Sequence, residues 1–534
     1  MARKTLSSVD HAWLRMEDPT NLMMITGVMI FGAPLEYERL MATIEERLLR
    51  FDRFRKKAVR PLVGAPYWAD DPDFDLRYHL QQTVLPPPGD QAALQDVASL
   101  LASTQLDPTR PLWQFHLVKE YGEGSALICR LHHSIGDGLA LVHVLLSMSE
   151  GGPDAPWPLI VPQRRQRRHD PVGKLFRPAR QVFSAKRRVG GALVQQCRKM
   201  RSDPAQLADL ARAPVRGTAA LGRLLLLWPD RKTPYKGELG VPKRAAWSAA
   251  IPLQDVKATG KGLGGTINDV LLTAMSGALR RYLQDRGQEV EGLNFRAIIP
   301  VNLRRPGTEE ELGNKFGLVF LPLPIGIADP NDRLLELKRR MDALKDSLEA
   351  PVAFGILTAI GMAPEPVQDL VVTIFGLKGT AVMTNVMGPK ETVYLAGAPL
   401  EALMFWVPQS GRLGLGVSIL SYAGKVWMGV ITDEGLVPDP DAIITAFHTE
   451  FDELLELAHD VEEAASLEDA RTDSEVKPEV PAPSPDADGE DSPEEAAGDP
   501  ERCQALTKAG APCKNRPLAG SRFCRVHQEP TDSP

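Results

Sequence analysis

A chain of 534 residues is too long for one ordinary domain, and two or three are expected. With 43% hydrophobic and 25% charged residues it is globular, and its net charge of −7 hides a segregation: residues 164–200 carry twelve Lys/Arg against one Asp, and residues 468–501 carry thirteen Asp/Glu against two Lys/Arg. No secretory h-region follows Met1–Asp10 and no apolar run approaches a membrane span, so a cytoplasmic protein, or one peripheral to a membrane or lipid inclusion, is expected.

In chain order, residues 1–150 mix strands and helices. Leu22–Phe31 reads as a buried strand and Leu35–Phe51 as helical. Gln114–Val118 alternates as a strand and can pair with residues 125–133 across the turn Tyr121–Gly124. In the second strand Leu127, Cys129, Leu131 and His133 share one face, with Ile128, Arg130 and His132 on the other. Residues 139–148 form a buried helix. Residues 151–240, with four prolines between Pro153 and Pro162 and then the basic stretch, make a helical crossover connector. Residues 241–464 read as a second α/β lobe. Thr266-Ile267-Asn268-Asp269 has capping-box spacing, and Leu271, Met275, Ala278 and Tyr282 follow at helical intervals. Phe295–Val301, Phe316–Pro324, Leu413–Leu420 and Lys425–Thr432 are strand-like, and residues 441–464 close the lobe as a helix. Residues 465–500, rich in Pro, Glu, Asp, Ala and Ser, are expected to be a disordered acidic linker.

The most informative segment is His132-His133-Ser134-Ile135-Gly136-Asp137-Gly138, an HHxxxDG pattern between a strand and a helix. Imidazole takes a proton near neutral pH, so a neutral histidine beside an acceptor hydroxyl makes it a competent nucleophile. Alternation turns the two histidines in opposite directions, and His133 is the expected general base, with His132 the second candidate. Gly136 and Gly138 suit a sharp turn, and Asp137 is expected to organise it. The arrangement suits acyl transfer from a thioester to a hydroxyl or amine.

Two further segments stand apart. Residues 164–200 interleave cations with apolar side chains such as Leu175, Phe176 and Phe183, which fits either an anionic lipid surface or a solvated connector. No nucleic-acid fold accompanies the charge, and no nucleic-acid partner is expected. Cys503, Cys513, Cys524 and His527, within 501–529, have the make-up of a tetrahedral structural zinc site, a docking module whose partner the sequence does not name.

The ordered set of motifs resembles the bacterial wax ester synthase/acyl-CoA:diacylglycerol acyltransferase family, within the chloramphenicol-acetyltransferase-like CoA-dependent acyltransferases. It comprises Leu6–Leu14, Pro111-Leu112-Trp113, His132–Gly138, Gly264–Val270 with Asn268-Asp269, Gly313-Asn314-Lys315-Phe316-Gly317 and Thr384-Asn385-Val386-Met387-Gly388-Pro389. Met387 stands where the family usually has proline, and Asn21–Met24 replaces its Pro-Met-His-like element. The resemblance implies an α/β fold of two chloramphenicol-acetyltransferase-like lobes flanking a substrate tunnel. Acyl-CoA enters from one side and diacylglycerol or a long-chain alcohol from the other, with no cofactor for catalysis. It implies oxyanion donors among Asn268, Thr384 and Asn385, and Gly138 and Trp113 beside the substrates or the core. Two alternatives stay open: a condensation-type acyltransferase with another acceptor, and an inactive homologue that binds lipid inclusions.

Overall fold

The computed structural model describes residues 4–61, 65–152, 227–304, 313–345, 349–360 and 365–475. The basic stretch 164–200 and the cysteines of the tail lie outside them. The chain divides into two units, Met1–Glu468 and Asp469–Pro534, and the fold below is that of the first.

The first part of the chain supplies β1 (Lys4–Thr5), α1 (Ser8–Arg15), β2 (Met24–Phe31), α2 (Tyr37–Thr43), β3 (Lys56–Val59) and β4 (Tyr67–Asp70). These are followed by α3 (Leu76–His79), β5 (Leu80–Thr83), α4 (Gln91–Ala102), β6 (Trp113–Tyr121), β7 (Gly124–His132) and α5 (Gly138–Met148). The second part begins with β8 (Lys243–Trp247), β9 (Ile251–Pro252), α6 (Leu253–Gly262), α7 (Ile267–Asp285), β10 (Phe295–Asn302) and β11 (Phe316–Leu323). It continues through α8 (Pro330–Lys345), α9 (Glu349–Ile360), α10 (Glu365–Leu377), β12 (Ala381–Met387) and β13 (Tyr394–Leu395). It ends with β14 (Ala398–Trp406), β15 (Leu415–Tyr422), β16 (Lys425–Asp433) and α11 (Pro440–Glu475).

The first large sheet runs β13-β14-β2-β7-β6-β5. The expected hairpin is present: β6 and β7 close with Tyr121 opposite Gly124, and Gly122 supplies the left-handed corner at φ 57°. The helical stretch after β2 buries Leu40, Ile44 and Leu48, one turn apart, and its last turn, Ile44–Leu48, widens to a π-helix.

The second large sheet runs β11-β10-β12-β15-β16-β8, with β9 on β16. Its main helix, α7, starts with both halves of the capping box: Thr266 accepts from Asp269 N–H and the Asp269 side chain accepts from Thr266 N–H. Leu271, Met275, Ala278 and Tyr282 then turn into the core as expected.

Two features depart from the reading of consecutive lobes. Strands β13 and β14 come from the second half of the chain but belong to the first sheet, where β14 pairs antiparallel with β2, Phe405 opposite Gly27. Strand β2 is buried along nearly its whole length, so its second edge has to be paired inside the protein, and β14 pairs it. In the other direction Ser99 and Ser103 of α4 accept from Ala245 N–H (2.9 Å) and Lys243 N–H (2.8 Å) of edge strand β8. Helix α11 also runs to Glu475, inside the stretch expected to be disordered: none of residues 465–475 is Pro or Gly, and the breakers of that stretch begin only at Pro478. No helix among the described residues is long and apolar enough to cross a membrane.

Candidate active site

Strand β7 ends at His132, so alternation no longer fixes the direction of the next residue. His133 is aimed by other contacts. Its N–H donates to Met23 O at the foot of β2 (2.8 Å), and its ring stacks on Trp13 of α1 with centroids 4.0 Å apart. Phe316, the first residue of β11, closes the other side at 5.7 Å. Contacts from both halves of the chain thus hold one imidazole.

The backbone after His133 is held by side chains from distant positions. Arg53 Nη1 donates to Ser134 O and Ile135 O (both 2.8 Å), and its Nη2 donates to Asp10 (2.8 Å). The other Asp10 oxygen accepts from Asn314 Nδ2 (2.8 Å), which also donates to His133 O (2.9 Å). Asp10 is fully buried and Asn314 nearly so. Buried charge-assisted bonds of this kind fix geometry as well as contributing energy.

His133 is 4% exposed, and burial pushes its imidazole down to about 4 against the opposing pull of Asp137. It is therefore neutral, the form a general base needs. Its Nδ1 is enclosed and makes no hydrogen bond of normal geometry. The ring lines a chamber of about 850 Å³, open mouth included, walled by residues from both halves of the chain, among them Trp13, Asp137, Arg304, Phe316, Thr384 and Asn385.

The other expected site residues divide. Thr384 and Asn385 reach the chamber. Asn268, exposed on the first turn of α7, is not part of its wall but accepts a hydrogen bond from Asn385 Nδ2 (2.6 Å). Gly138 lines the chamber, although not for conformational reasons: an added Cβ would meet only Phe405 at 3.8 Å, an ordinary contact. Asp137 is an organising group. Its Oδ2 pairs with Arg304 Nη1 (2.5 Å) and accepts from Lys315 N–H (3.0 Å), while Arg304 Nη2 donates to Gly313 O (2.5 Å).

His132 and Trp113 stand away from the chamber. Ser134 N–H donates to His132 Nδ1 (3.1 Å), and the ring's Nε2 lies 3.3 Å from the Glu17 carboxylate. His132 is thus held by partners of its own and does not line the chamber. Trp113 is completely buried, donates Nε1–H to Phe54 O (2.8 Å) and stacks on His79 at 4.5 Å; it belongs to the core rather than to a substrate surface.

Arg53 and Arg304 were not singled out in the sequence, and no local pattern marks them. Asp10 and Asn314 do lie inside the motif segments Leu6–Leu14 and Gly313–Gly317, which assigned them no role.

Two apolar cavities adjoin the chamber. One, about 630 Å³ with its open mouth included, lies between the first sheet and α5, is lined by Ile25, Met29, Cys129, Leu131, Leu141 and Val144 among others, and shares Gly138 and Phe405 with the chamber. Burial pushes the Cys129 thiol up, away from thiolate chemistry, so it serves as apolar wall. The other, about 580 Å³ with its open mouth included, lies beneath α9 and α10 and shares Trp13, Ile298, Leu318 and Ser410 with the chamber. Among the described residues no group of three or more His, Cys, Asp or Glu could hold a metal ion.

Residues 6–271 match the model of the wax ester synthase/diacylglycerol acyltransferase catalytic domain, and residues 312–455 match that of the family's C-terminal domain. A putative diacylglycerol O-acyltransferase of Mycobacterium tuberculosis (strain CDC 1551 / Oshkosh) is 27% identical over 88% of this chain and 93% of its own. The probable diacylglycerol O-acyltransferase tgs1 of M. tuberculosis (strain H37Rv) is 27% identical over 81% of this chain and 92% of its own. The solved wax ester synthase/diacylglycerol acyltransferase of Marinobacter aquaeolei VT8 shares the fold, with a TM-score of 0.61 at 20% identity, covering 85% of this chain and all of that one. The starter condensation domain of rhizomide synthetase, solved with C8-CoA, shares it with a TM-score of 0.54 at 12% identity over 86% and 95% of the two chains. With matches that together span most of its length and a histidine chamber built from both halves, the chain belongs to the wax ester synthase/diacylglycerol acyltransferase family of acyltransferases.

Proposed function

We propose that the protein transfers a long-chain acyl group from acyl-CoA to the hydroxyl of diacylglycerol or of a long-chain alcohol, with His133 as general base. The observation that carries this reading is the meeting of two apolar cavities at the chamber of one neutral, buried histidine. Two oily chains need two separate sleeves, and the reacting ends need one polar junction. The cavity beneath α5 suits one chain and the cavity beneath α10 the other.

In the reaction His133 Nε2 takes the acceptor's hydroxyl proton as its oxygen attacks the thioester carbonyl. The C–S bond then breaks and the proton passes to the departing thiolate, leaving ester and CoA. Asn385 and Thr384 are the oxyanion donors this reading favours, because both reach the chamber, and Asn268 acts by orienting Asn385. Arg304, Arg53 and Asn314 hold the loop that carries the base.

Palmitoyl-CoA with either dioleoylglycerol or hexadecanol, following CoA release and ester beside His133→Ala, tests the reading. Ester from the wild type alone is expected. Folded protein that forms neither ester refutes it and favours a condensation-type acceptor or a binding protein without catalysis. For the tail we retain the zinc reading on the support of ligand type and spacing alone: Cys503, Cys513, Cys524 and His527 would hold the ion in a structural role, and metal analysis of the purified chain tests it.

A further inference from the structure

Helix α10 has two different faces. Val371, Val372 and Phe375 point inward and wall the second apolar cavity. Leu370, Ile374 and Leu377 form a stripe at helical spacing and are 60, 36 and 48% exposed. Single exposed apolar residues need no explanation, but a contiguous set does.

A fourth member joins the set from another segment. Trp228 is 83% exposed and is anchored beside the end of α10. Arg296 Nη1 donates to both Trp228 O (2.9 Å) and Lys378 O (3.2 Å), and Asp230 N–H donates to Leu377 O (3.1 Å). Arg231 and Lys232, both exposed, follow on the same segment, whereas the acid between them and Trp228, Asp230, is already paired with Arg296 (2.7 Å). An aliphatic stripe with an exposed tryptophan and cations at its end is complementary to an anionic lipid surface: the apolar groups enter the acyl boundary and the cations meet headgroup phosphates.

We infer that the outer face of α10, together with Trp228, Arg231 and Lys232, docks the protein on an anionic lipid surface. This rests on the proposed transfer to a lipid-borne hydroxyl, because the helix that touches lipid is also the wall of a cavity that would receive one of the two oily chains. A chain entering there crosses only the thickness of one helix, about 10 Å, between lipid and cavity. The basic stretch 164–200 is not required for this surface.

The test is flotation of the full chain with vesicles of phosphatidylcholine alone or mixed with phosphatidylglycerol. Wild type is expected to float with the anionic vesicles. Leu370→Ser/Ile374→Ser/Leu377→Ser should lower partitioning about a hundredfold, and Arg231→Glu/Lys232→Glu about tenfold or more. Both should keep wild-type transfer from palmitoyl-CoA to a short-chain alcohol in solution. Unchanged partitioning of the triple variant overturns the inference. If the triple variant loses binding and transfer together, Ile374→Cys carrying an environment-sensitive fluorophore decides: a blue shift with anionic vesicles supports docking, and its absence overturns it. Self-association of the wild type that the triple variant abolishes, without vesicle binding, makes a second copy the occupant and overturns it too. Wild type that transfers in solution but binds no vesicle refutes the docking surface alone. Wild type that binds but never transfers upholds the surface and refutes the catalytic reading.

Discussion

Removing the Arg304 guanidinium tests whether the Asp137 turn is held electrostatically. The side chains of the pair are 2% and 8% exposed and 2.5 Å apart, so the pair falls in the buried regime rather than the surface one. Arg304→Met leaves Asp137 with the Lys315 N–H and strips the Gly313 carbonyl of its donor. Breaking one side of such a pair costs about 3–5 kcal/mol. Asp137→Asn leaves the cation without its counter-charge and should cost a similar amount. The double variant should lose less than the sum of the two, by about 2 kcal/mol or more. Urea unfolding followed by tryptophan fluorescence gives the four free energies. Burial also makes the coupling insensitive to salt. Losses that add to within about 0.5 kcal/mol would show that the two groups do not hold the turn together.

The pH dependence of transfer should follow the buried His133: the acid limb of kcat/KM is expected near 4 rather than near the usual 6.5, and a limb at 6–7 would refute the environment derived for the ring. The sign for stability follows from the same depression. The unfolded chain binds the proton more readily, so this contribution is fully present above about 6.5, declines as the pH falls, and is gone below about 4. Cys129→Phe fills part of the cavity beneath α5, and competition between acyl-CoAs should then shift toward shorter chains with little change in rate for the shortest; an unchanged chain-length profile would remove that cavity from substrate binding.

What could be read along the chain was whatever depends on neighbours. The β6–β7 hairpin, the capping box before α7 and the strand-turn-helix around His133 each follow from a few adjacent residues. The chamber does not. It takes Trp13 from α1, Phe316 from β11 and Thr384 from β12, and no local periodicity announces that these will converge. Arg53 and Arg304 look like ordinary surface cations in the sequence and become anchors only because loop carbonyls and a carboxylate arrive beside them. For Trp113 the motif leaves substrate wall and core both open, and the structure puts it in the core, where its indole N–H donates to Phe54 O. The alternation along β7 places Cys129 and Leu131 against the α5 cavity, and of the two histidines only His133 lines the chamber.

The borrowed strand β14 has a consequence for how the protein is made. On the ribosome, β2 and β7 emerge early, but the partner for the free side of β2 ends only at Trp406, some 270 residues after His132, roughly 15–55 s at ordinary elongation rates. Throughout that interval the nascent chain carries an apolar strand with an open row of N–H and C=O groups, the template on which foreign strands assemble. An N-terminal fragment released before residue 406 would keep that row open permanently, so the first lobe is not a unit that can be expressed by itself, and demand for a holding chaperone should end with the synthesis of β14.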